Sequence, residues 1–512
     1  MDCLMGIDLG STSLKAIAYD LNSNVLASGS RPTQRFHPNP QHPQWTVWQP
    51  EQIWGGAAEA IREAVSQLAE PRSIRAVAVT GMGMDGLPVD DDGCWLYPFI
   101  SWHDPRTRPQ FDWWQEHVGA AKVFSIGGNP LWPINSALRI LWMAEHEPEI
   151  LKRTSKWLLI EDFLNFQLCG RCVTDYSMAS CTLLFDQRTL RWSDELLALS
   201  GIDRRLLCEA LPSGTPIGQV HRAAAETTGL PEGTPVVLGG HDHLCGALPV
   251  GVFQPGMVLN VTGTWETVTT VADRPVLKDD LRCAGMTVQA HVARGQHAIW
   301  GGNVASEMLE WFRRQFVPTT SDGADAVPWA TLMAEAQASP PGARGVMFLP
   351  HMSSAACPIV DPQSLGAFVG LSTCATRGDL LRAMIEGLDY QFVEMLGALR
   401  AVLEEPFVRF VMVGGATRNH FWMQNKADTL GQAIEVSEVA EASPLGAAIL
   451  AGIGVGLYHD LQDAWRHVYR PGTIYQPDPG RAAHYARWIR TYRDLYPATR
   501  PISHSLFEAF LT

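Results

Sequence analysis

An acid near the end of an apolar strand, followed at once by a turn of glycine and hydroxyl residues, constrains this chain more than any other feature. Met5-Gly6-Ile7-Asp8-Leu9 is apolar around one carboxylate, Gly10-Ser11-Thr12-Ser13 turns, and Leu14-Lys15-Ala16-Ile17-Ala18-Tyr19 resumes a strand. Backbone N–H groups of such a turn, from Gly10 through Ser11 and Thr12 to Ser13, can cradle phosphate oxygens. The acid before it, Asp8, can hold the cation that accompanies a nucleotide. An ordinary β-hairpin is the alternative reading. A Walker A loop is excluded, because G-x-x-x-x-G-K-[ST] is absent.

The layout recurs. Met257 to Val261 reads as a strand, Thr262-Gly263-Thr264 as a turn, and Glu266 to Val271 as a strand. In the first half a helix is expected from about Gln52 to Ala69, with Pro50 just before it, then a buried strand Ile74–Thr80 and a glycine-rich loop Gly81–Gly86. In the second half a helix is expected over Leu380–Leu399, then a strand Val408–Val413 ending in Gly414-Gly415. Each half thus offers a strand-turn-strand opening and a later strand ending in glycines, which suggests duplication of an α/β unit. Asn129–Leu230 reads as irregular, with substrate-facing insertions, and Ser321–Ala326 as a loop. The last fifty or so residues, with Trp465, Tyr475 and Tyr485, read as a helical appendage.

A chain of 512 residues has room for two to four domains. Its net charge of -14 argues against nucleic acid, which needs clustered Lys and Arg. Asp8 interrupts the first apolar run, so no leader is expected. No run reaches the ~18 residues of a membrane span. Cys169-Gly170-Arg171-Cys172 lacks a second pair or suitably spaced histidines, so buried apolar cysteines in a reducing cytosol are expected.

Three further segments carry chemistry. In Gly239-Gly240-His241-Asp242-His243, an acid follows the apolar strand Pro235–Leu238, beside glycines that let a ligand approach the backbone. Asp242 is therefore a candidate general base, within reach of a substrate hydroxyl. His241 or His243 is expected to line the pocket rather than to bind a transition metal, which needs more ligands. Gly263 and Thr264 suit a second phosphate turn. Gly414, Gly415 and Asn419 lie past the end of a strand, where nucleotides rest in open α/β sheets.

The order of these elements resembles the FGGY family of carbohydrate kinases, which shares a superfamily with actin, hexokinase and the heat-shock chaperone ATPases. Residues 6–15 look like its first phosphate motif, with Lys15 in it. Gly83-Met84-Asp85-Gly86 and Trp102-His103-Asp104-Pro105-Arg106-Thr107 look like its sugar-contact segments. Thr174–Ser180, Phe348-Leu349-Pro350, Gly366–Leu371 and Arg382–Leu388 are similar to other hallmark stretches. Gly414-Gly415-Ala416 with Phe421-Trp422 resembles the adenine loop, and Glu441–Ala448 the closing helix.

The resemblance implies two ribonuclease-H-like (actin-like ATPase) α/β domains flanking a deep cleft. An N-terminal sugar-binding domain is expected over 1–250, an ATP-binding domain over 251–460, and a helical appendage on the second domain over 461–512. It implies ATP-dependent phosphorylation of a hydroxyl of a sugar or polyol, a ketose or sugar alcohol of four to six carbons, in the cytoplasm, by a homodimer. Asp242 is the expected base, and Asp8 and Asp242 are expected near Mg²⁺. Asp85, Asp104, Arg106 and His241 are expected to select the sugar, and Trp102, Trp265 or Trp300 to stack on it.

Three departures stand out. Trp265 follows Thr264 where family members often have Ser. Ser353-Ser354-Ala355-Ala356 replaces a Gly-Glu-Arg segment. Met84-Asp85-Gly86 stands where xylulose-type members carry Met-His-Gly. A chaperone or polymer-forming ATPase would have no use for the sugar-contact segments. A degenerate binding protein would have no need to retain both Asp8 and Asp242.

Overall fold

The structure, a computed structural model, describes residues 2–317 and 327–510. The loop expected at Ser321–Ala326 lies outside the described residues.

Two mixed sheets share one topology. Sheet I holds β1 (Cys3–Leu9), β2 (Ser13–Asp20), β3 (Val25–Pro32), β4 (Ile74–Gly81), β5 (Pro216–Gln219) and β6 (Pro235–His241), in the order β5-β6-β4-β1-β2-β3. Sheet II holds β7 (Met257–Thr262), β8 (Trp265–Ala272), β9 (Thr287–Ala290), β10 (His297–Val304), β11 (Arg409–Val413), β12 (Ile434–Val436) and β13 (Thr473–Tyr475), in the order β9-β10-β8-β7-β11-β12-β13. The run β3-β2-β1-β4-β6 matches β10-β8-β7-β11-β12 in order and in every strand direction. The two units are ribonuclease-H-like, and the repeat expected from the sequence is a repeat of topology.

The helices that position the site are α1 (Pro50–Ser66), α2 (Ser136–His146), α3 (Asp242–Ala247), α4 (Ser306–Phe316), α5 (Trp329–Ala338), α6 (Arg377–Arg400), α7 (His420–Leu430), α8 (Ala442–Gly454), α9 (Leu461–Val468) and α10 (Pro479–Phe510). Parallel neighbours need a crossover. α1 carries the chain from the edge strand β3 back across β2 and β1 to β4, the parallel neighbour of β1, with Pro50 in its first turn and Ile53, Ala57, Ala60, Ile61, Ala64 and Val65 buried. β1 is apolar on both faces because both are covered: α1 packs on the sheet through β2 and β3, and α8 lies on the other face against β1, β4 and β6.

α8 comes from the second half of the chain yet packs on sheet I, so the boundary expected at residue 250 does not separate the packing. A Cβ at Gly6 would lie 1.8 Å from the Pro444 carbonyl oxygen, so β1 accepts α8 only with glycine there. Reciprocally, α3 leads into Ala247, Val250 and Val252, which pack on Leu259, Val271 and Val411 of sheet II. The two lobes are thus joined by a reciprocal pair of helices.

Two expectations change. The stretch 129–230 is more regular than its sequence suggests. It contains α2 and a helix Ile160–Cys169, whose Leu138, Ile140, Trp142, Phe163, Leu164 and Leu168 join the core under sheet I. The C-terminal stretch is not purely helical. β13 adds an antiparallel edge strand to β12, α9 packs on α8, and α10 packs on α6 and α7.

Beneath sheet II lies a buried polar cluster. The Lys426 side chain has 0% exposure and pairs with Glu266 and, at 3.5 Å, with Asp389. Its Nζ also reaches Asn260 Oδ1 at 3.1 Å. Removing one partner of a buried set leaves uncompensated charge. Lys426→Met is therefore expected to destabilise the protein by about 3–5 kcal/mol, read as a lowered urea midpoint.

Candidate active site

Parallel pairing sets the site. Along sheet I, Leu9 pairs with Gly81 and Gly81 with His241, while Asp8 pairs with Thr80 and Thr80 with Gly240. The carboxyl ends of β1, β4 and β6 therefore lie in one row, where open α/β sheets bind ligands. From that row emerge Asp8 with the turn Gly10–Ser13, the loop Gly81–Gly86, and Asp242 as the first residue of α3.

The two carboxylates behave differently. The Asp242 backbone begins a helix, and its Oδ1 accepts the His243 backbone N–H at 2.6 Å. Burial pushes its carboxyl upward, but the side-chain and backbone bonds of His243 and the facing His241 outweigh this and hold it below the ordinary carboxylate range. Asp8 moves the other way, to about 8, through burial first and then the repulsion of Asp242, against the pull of Lys15. Asp8 Oδ1 is buried without a hydrogen-bond partner. A buried, unpartnered carboxylate oxygen beside a second acid is a fitting place for a hard divalent cation.

Other expected phosphate ligands divide. Gly10 N–H donates to Ser13 O at 3.1 Å, which closes the first turn. Lys15 instead reaches out to Glu441 at the start of α8, with its Nζ 2.8 Å from Oε2. Lys15 is paired directly opposite Asp8 in the β1–β2 ladder, so it stays beside that acid while its charge meets Glu441.

In sheet II, Gly263 N–H donates to Trp265 O at 2.9 Å, and Ser306 N–H donates to Gly263 O at 3.2 Å. The second turn is thereby fixed to the start of α4. Gly414 has φ of 106° and sits where a Cβ would meet Thr262 O at 2.5 Å, so glycine is required. Thr262–Thr264 and Gly414–Gly415 thus adjoin. Beyond them opens a cavity of about 680 Å³ lined by Trp329, Met333, Gly415, Ala416, Asn419 and Phe421. Asn419 Oδ1 caps α7 by accepting the Trp422 N–H at 3.2 Å.

The expected sugar-selecting residues require revision. Asp85, Asp104 and Arg106 side chains have 0% exposure. Asp85 accepts from Trp48 Nε1 at 2.7 Å and Arg139 Nη2 at 3.1 Å. Burial raises its carboxyl to about 6, against the pull of Arg139. Asp104 takes a bidentate bond from Arg106 at 2.9 and 2.7 Å, and the guanidinium lies over Trp45 and Trp142 at 4.2 and 4.9 Å. The Thr46 N–H closes the set at 2.6 Å. These residues form a braced floor behind the loop, rather than the open sugar contacts expected of them.

The loop itself does reach the site: a Cβ at Gly83 would lie 2.9 Å from His241 Nε2. His241 is buried, which lowers its pKa to about 3 with further help from His243. The ligand atoms of His241, Asp242 and His243 lie within 4.8 Å of one another. Trp102 packs at a tilt on His103 at 3.6 Å, Trp265 stays 48% exposed on the second turn, and Trp300 packs on His243 at 4.9 Å. Ser353–Ala356 is held by Asn303, whose Oδ1 accepts the Ala356 N–H at 3.0 Å.

An acid at the carboxyl edge of sheet I, two glycine-bearing turns and a cavity of about 680 Å³ are the features the two units present. The model of the FGGY family of carbohydrate kinases matches residues 3–249 with its N-terminal domain and 258–455 with its C-terminal domain. The chain belongs to this family. As an FGGY kinase it is a phosphotransferase that uses ATP to phosphorylate a carbohydrate. It is 30% identical to the L-fuculokinase of Escherichia coli (strain K12) over 503 residues, 98% of each chain. It is 28% identical to the xylulose kinase of Lactococcus lactis subsp. lactis (strain IL1403), over 99% of each. The crystal structure of xylulose kinase from Rhodospirillum rubrum aligns with a TM-score of 0.89 and 29% identity, over 98% of this chain and 100% of that one.

Sequence reasoning missed Arg139, which buttresses Asp85, and Gln289 of β9, which reaches His241. Arg139 lies in an otherwise apolar run, Leu138–Met143, and a cation there was a usable signal. Gln289 had none short of the strand register.

Proposed function

We propose that this FGGY kinase transfers the γ-phosphoryl group of ATP to a terminal hydroxyl of a ketose or sugar alcohol, with a deoxyketose of the L-fuculose type first. The observation that carries the mechanism is Asp242, ionised at the carboxyl edge of sheet I beside the partnerless Asp8. Asp242 Oδ1 is engaged by His243, which leaves Oδ2 to accept the hydroxyl proton. The alkoxide-like oxygen then bonds to the γ-phosphorus as the bond to the ADP oxygen breaks. Amides of Gly10–Ser13 and Gly263–Thr264 donate to the phosphates. Asp8 is the residue best suited to hold Mg²⁺, with Asp242 beside it, and that ion offsets phosphate charge.

The identity to L-fuculokinase supports the choice of sugar. A cytoplasmic setting fits the ATP requirement and the ten free cysteines.

The test is ADP release from MgATP with L-fuculose, xylulose, gluconate and glycerol. The expected result is strong stimulation by L-fuculose and little ADP without a sugar, since closure that excludes water suppresses hydrolysis. A flat panel with ATP bound would favour a degenerate binding protein, and a high sugar-independent rate would contradict the kinase mechanism.

A further inference from the structure

His241 stands one residue before the catalytic acid, and Gln289 of the other sheet reaches it, backed by Trp300. Gln289 and Trp300 lie on the same face of neighbouring strands, because Thr287 pairs with Trp300 and Gln289 is diagonal to it. Trp300 Nε1 donates to Gln289 Oε1 at 3.0 Å. An indole N–H can only donate, so the Gln289 oxygen must face it and the amide nitrogen must face the other way. That nitrogen lies 3.2 Å from His241 Nδ1. An amide nitrogen also only donates, so Nδ1 must accept. The single ring proton is therefore on Nε2. A donor-only indole thus sets the tautomer of a histidine in the other lobe through one amide.

The strand that carries Gln289 is clamped to the first lobe. The Val288 N–H donates to Gly128 O at 2.7 Å, and the Ala290 N–H to Ser180 Oγ at 3.2 Å. Both are edge groups of β9 that no strand pairs, and the first lobe satisfies them. The relay is consequently registered against His241 rather than left to the swing of the second lobe. On the other side of the ring, Nε2 lies 3.7 Å from Asp242 Oδ1. The absent side chain of Gly83 leaves the space beside Nε2 open, since a Cβ there would come within 2.9 Å.

We propose that Gln289 and Trp300 are positioning residues that hold His241 as the Nε2–H tautomer, so that it donates a hydrogen bond to a hydroxyl oxygen of the sugar beside Asp242. The role at the sugar rests on the kinase reading of this site, whereas the tautomer does not. With the Nε2 proton aimed at an oxygen lone pair, the hydroxyl proton is left to point at Asp242. A His241 with the opposite tautomer would offer a lone pair and compete with Asp242 for that proton.

The experiment is ¹⁵N NMR of histidine-labelled full-length protein, with the His241 signals assigned by their loss in His241→Asn, alongside kinetics with L-fuculose and MgATP. In the wild type, His241 is expected to show a pyrrole-like Nε2 and a pyridine-like Nδ1. Gln289→Glu presents only acceptors to Trp300 and to the histidine. It is expected to move the proton to Nδ1 and to lower kcat/KM for L-fuculose about 30-fold, with the KM for ATP unchanged. Trp300→Phe keeps the ring but deletes its N–H, which frees the amide to invert. It is expected to give both tautomers and a smaller loss, and it carries the test if Gln289→Glu does not fold. An Nδ1–H wild type, or variants that leave the tautomer unchanged, would overturn the relay. Shifted tautomers with unchanged L-fuculose kinetics would overturn the role at the sugar. Tautomers as expected, in a wild type that phosphorylates no sugar, would uphold the relay and count against the kinase reading alone.

Discussion

Asp242→Asn is expected to lower turnover of the sugar about 10³-fold while ATP binding stays close to wild type. The amide keeps the shape of the carboxyl, and its oxygen still accepts the His243 N–H that now binds Oδ1 at 2.6 Å. What it loses is the ability to take a proton, and general-base catalysis contributes about 10²–10⁴-fold. ATP binding is expected to survive because the proposed adenine cavity lies among α4, α5 and α7, away from Asp242. The variant also removes the repulsion that Asp242 exerts on Asp8. Single-turnover phosphorylation and ATP titration of the same preparation separate the two effects. Turnover retained within tenfold would show that another group takes the proton. Joint loss of turnover and ATP binding would mean that the substitution had damaged the fold.

Much of this arrangement was legible because it obeys local rules. Asp8 and Asp242 both sit at the ends of apolar strands, and the glycines after β7 and β11 mark close approach. The pattern of two halves followed from repeated strand-turn-strand openings, and the same strand order in both sheets is its physical content. The misreadings concern side chains whose partners are distant in the chain. Asp104 and Arg106 have the same sequence appearance whether they face a sugar or each other. The deciding fact is the pair of rings, Trp45 and Trp142, that encloses the guanidinium. Lys15 belongs to a phosphate motif by position, yet its charge meets Glu441 because α8 crosses onto sheet I. That crossing depends on Gly6 and Pro444 meeting, which no local pattern announces. The strand Thr473–Tyr475 is three residues long and mostly exposed, too short for periodicity to separate it from a loop.

Asp8→Asn carries the second large effect, and its sign differs for stability and activity. In the metal-free protein the Asp8 carboxyl is raised from 3.8 to about 8, by burial first and by Asp242 next. For an acid, a raised pKa means that the folded state holds its proton more tightly than the unfolded chain. Between about pH 4 and pH 8 the native state therefore binds more protons, and stability falls as pH rises through that window. Above it the dependence on this group ends. Asparagine is neutral throughout, so the variant is expected to lack this decline and to exceed the metal-free wild type at pH 8 by up to about 5 kcal/mol, the equivalent of a window about four pH units wide. Urea titrations at pH 5 and pH 8 read the difference directly. A bound cation offsets the same charge, so Mg²⁺ with ATP is expected to stabilise the wild type more than the variant. Turnover is expected to move the opposite way, falling about 10²–10³-fold, because the cation that Asp8 would hold at the phosphates is lost. A more stable and nearly inactive protein is the signature of a residue whose burial is strained for function. If Asp8→Asn instead destabilised the protein at pH 8, Asp8 would be a structural acid with a native partner, and the cation reading would fall.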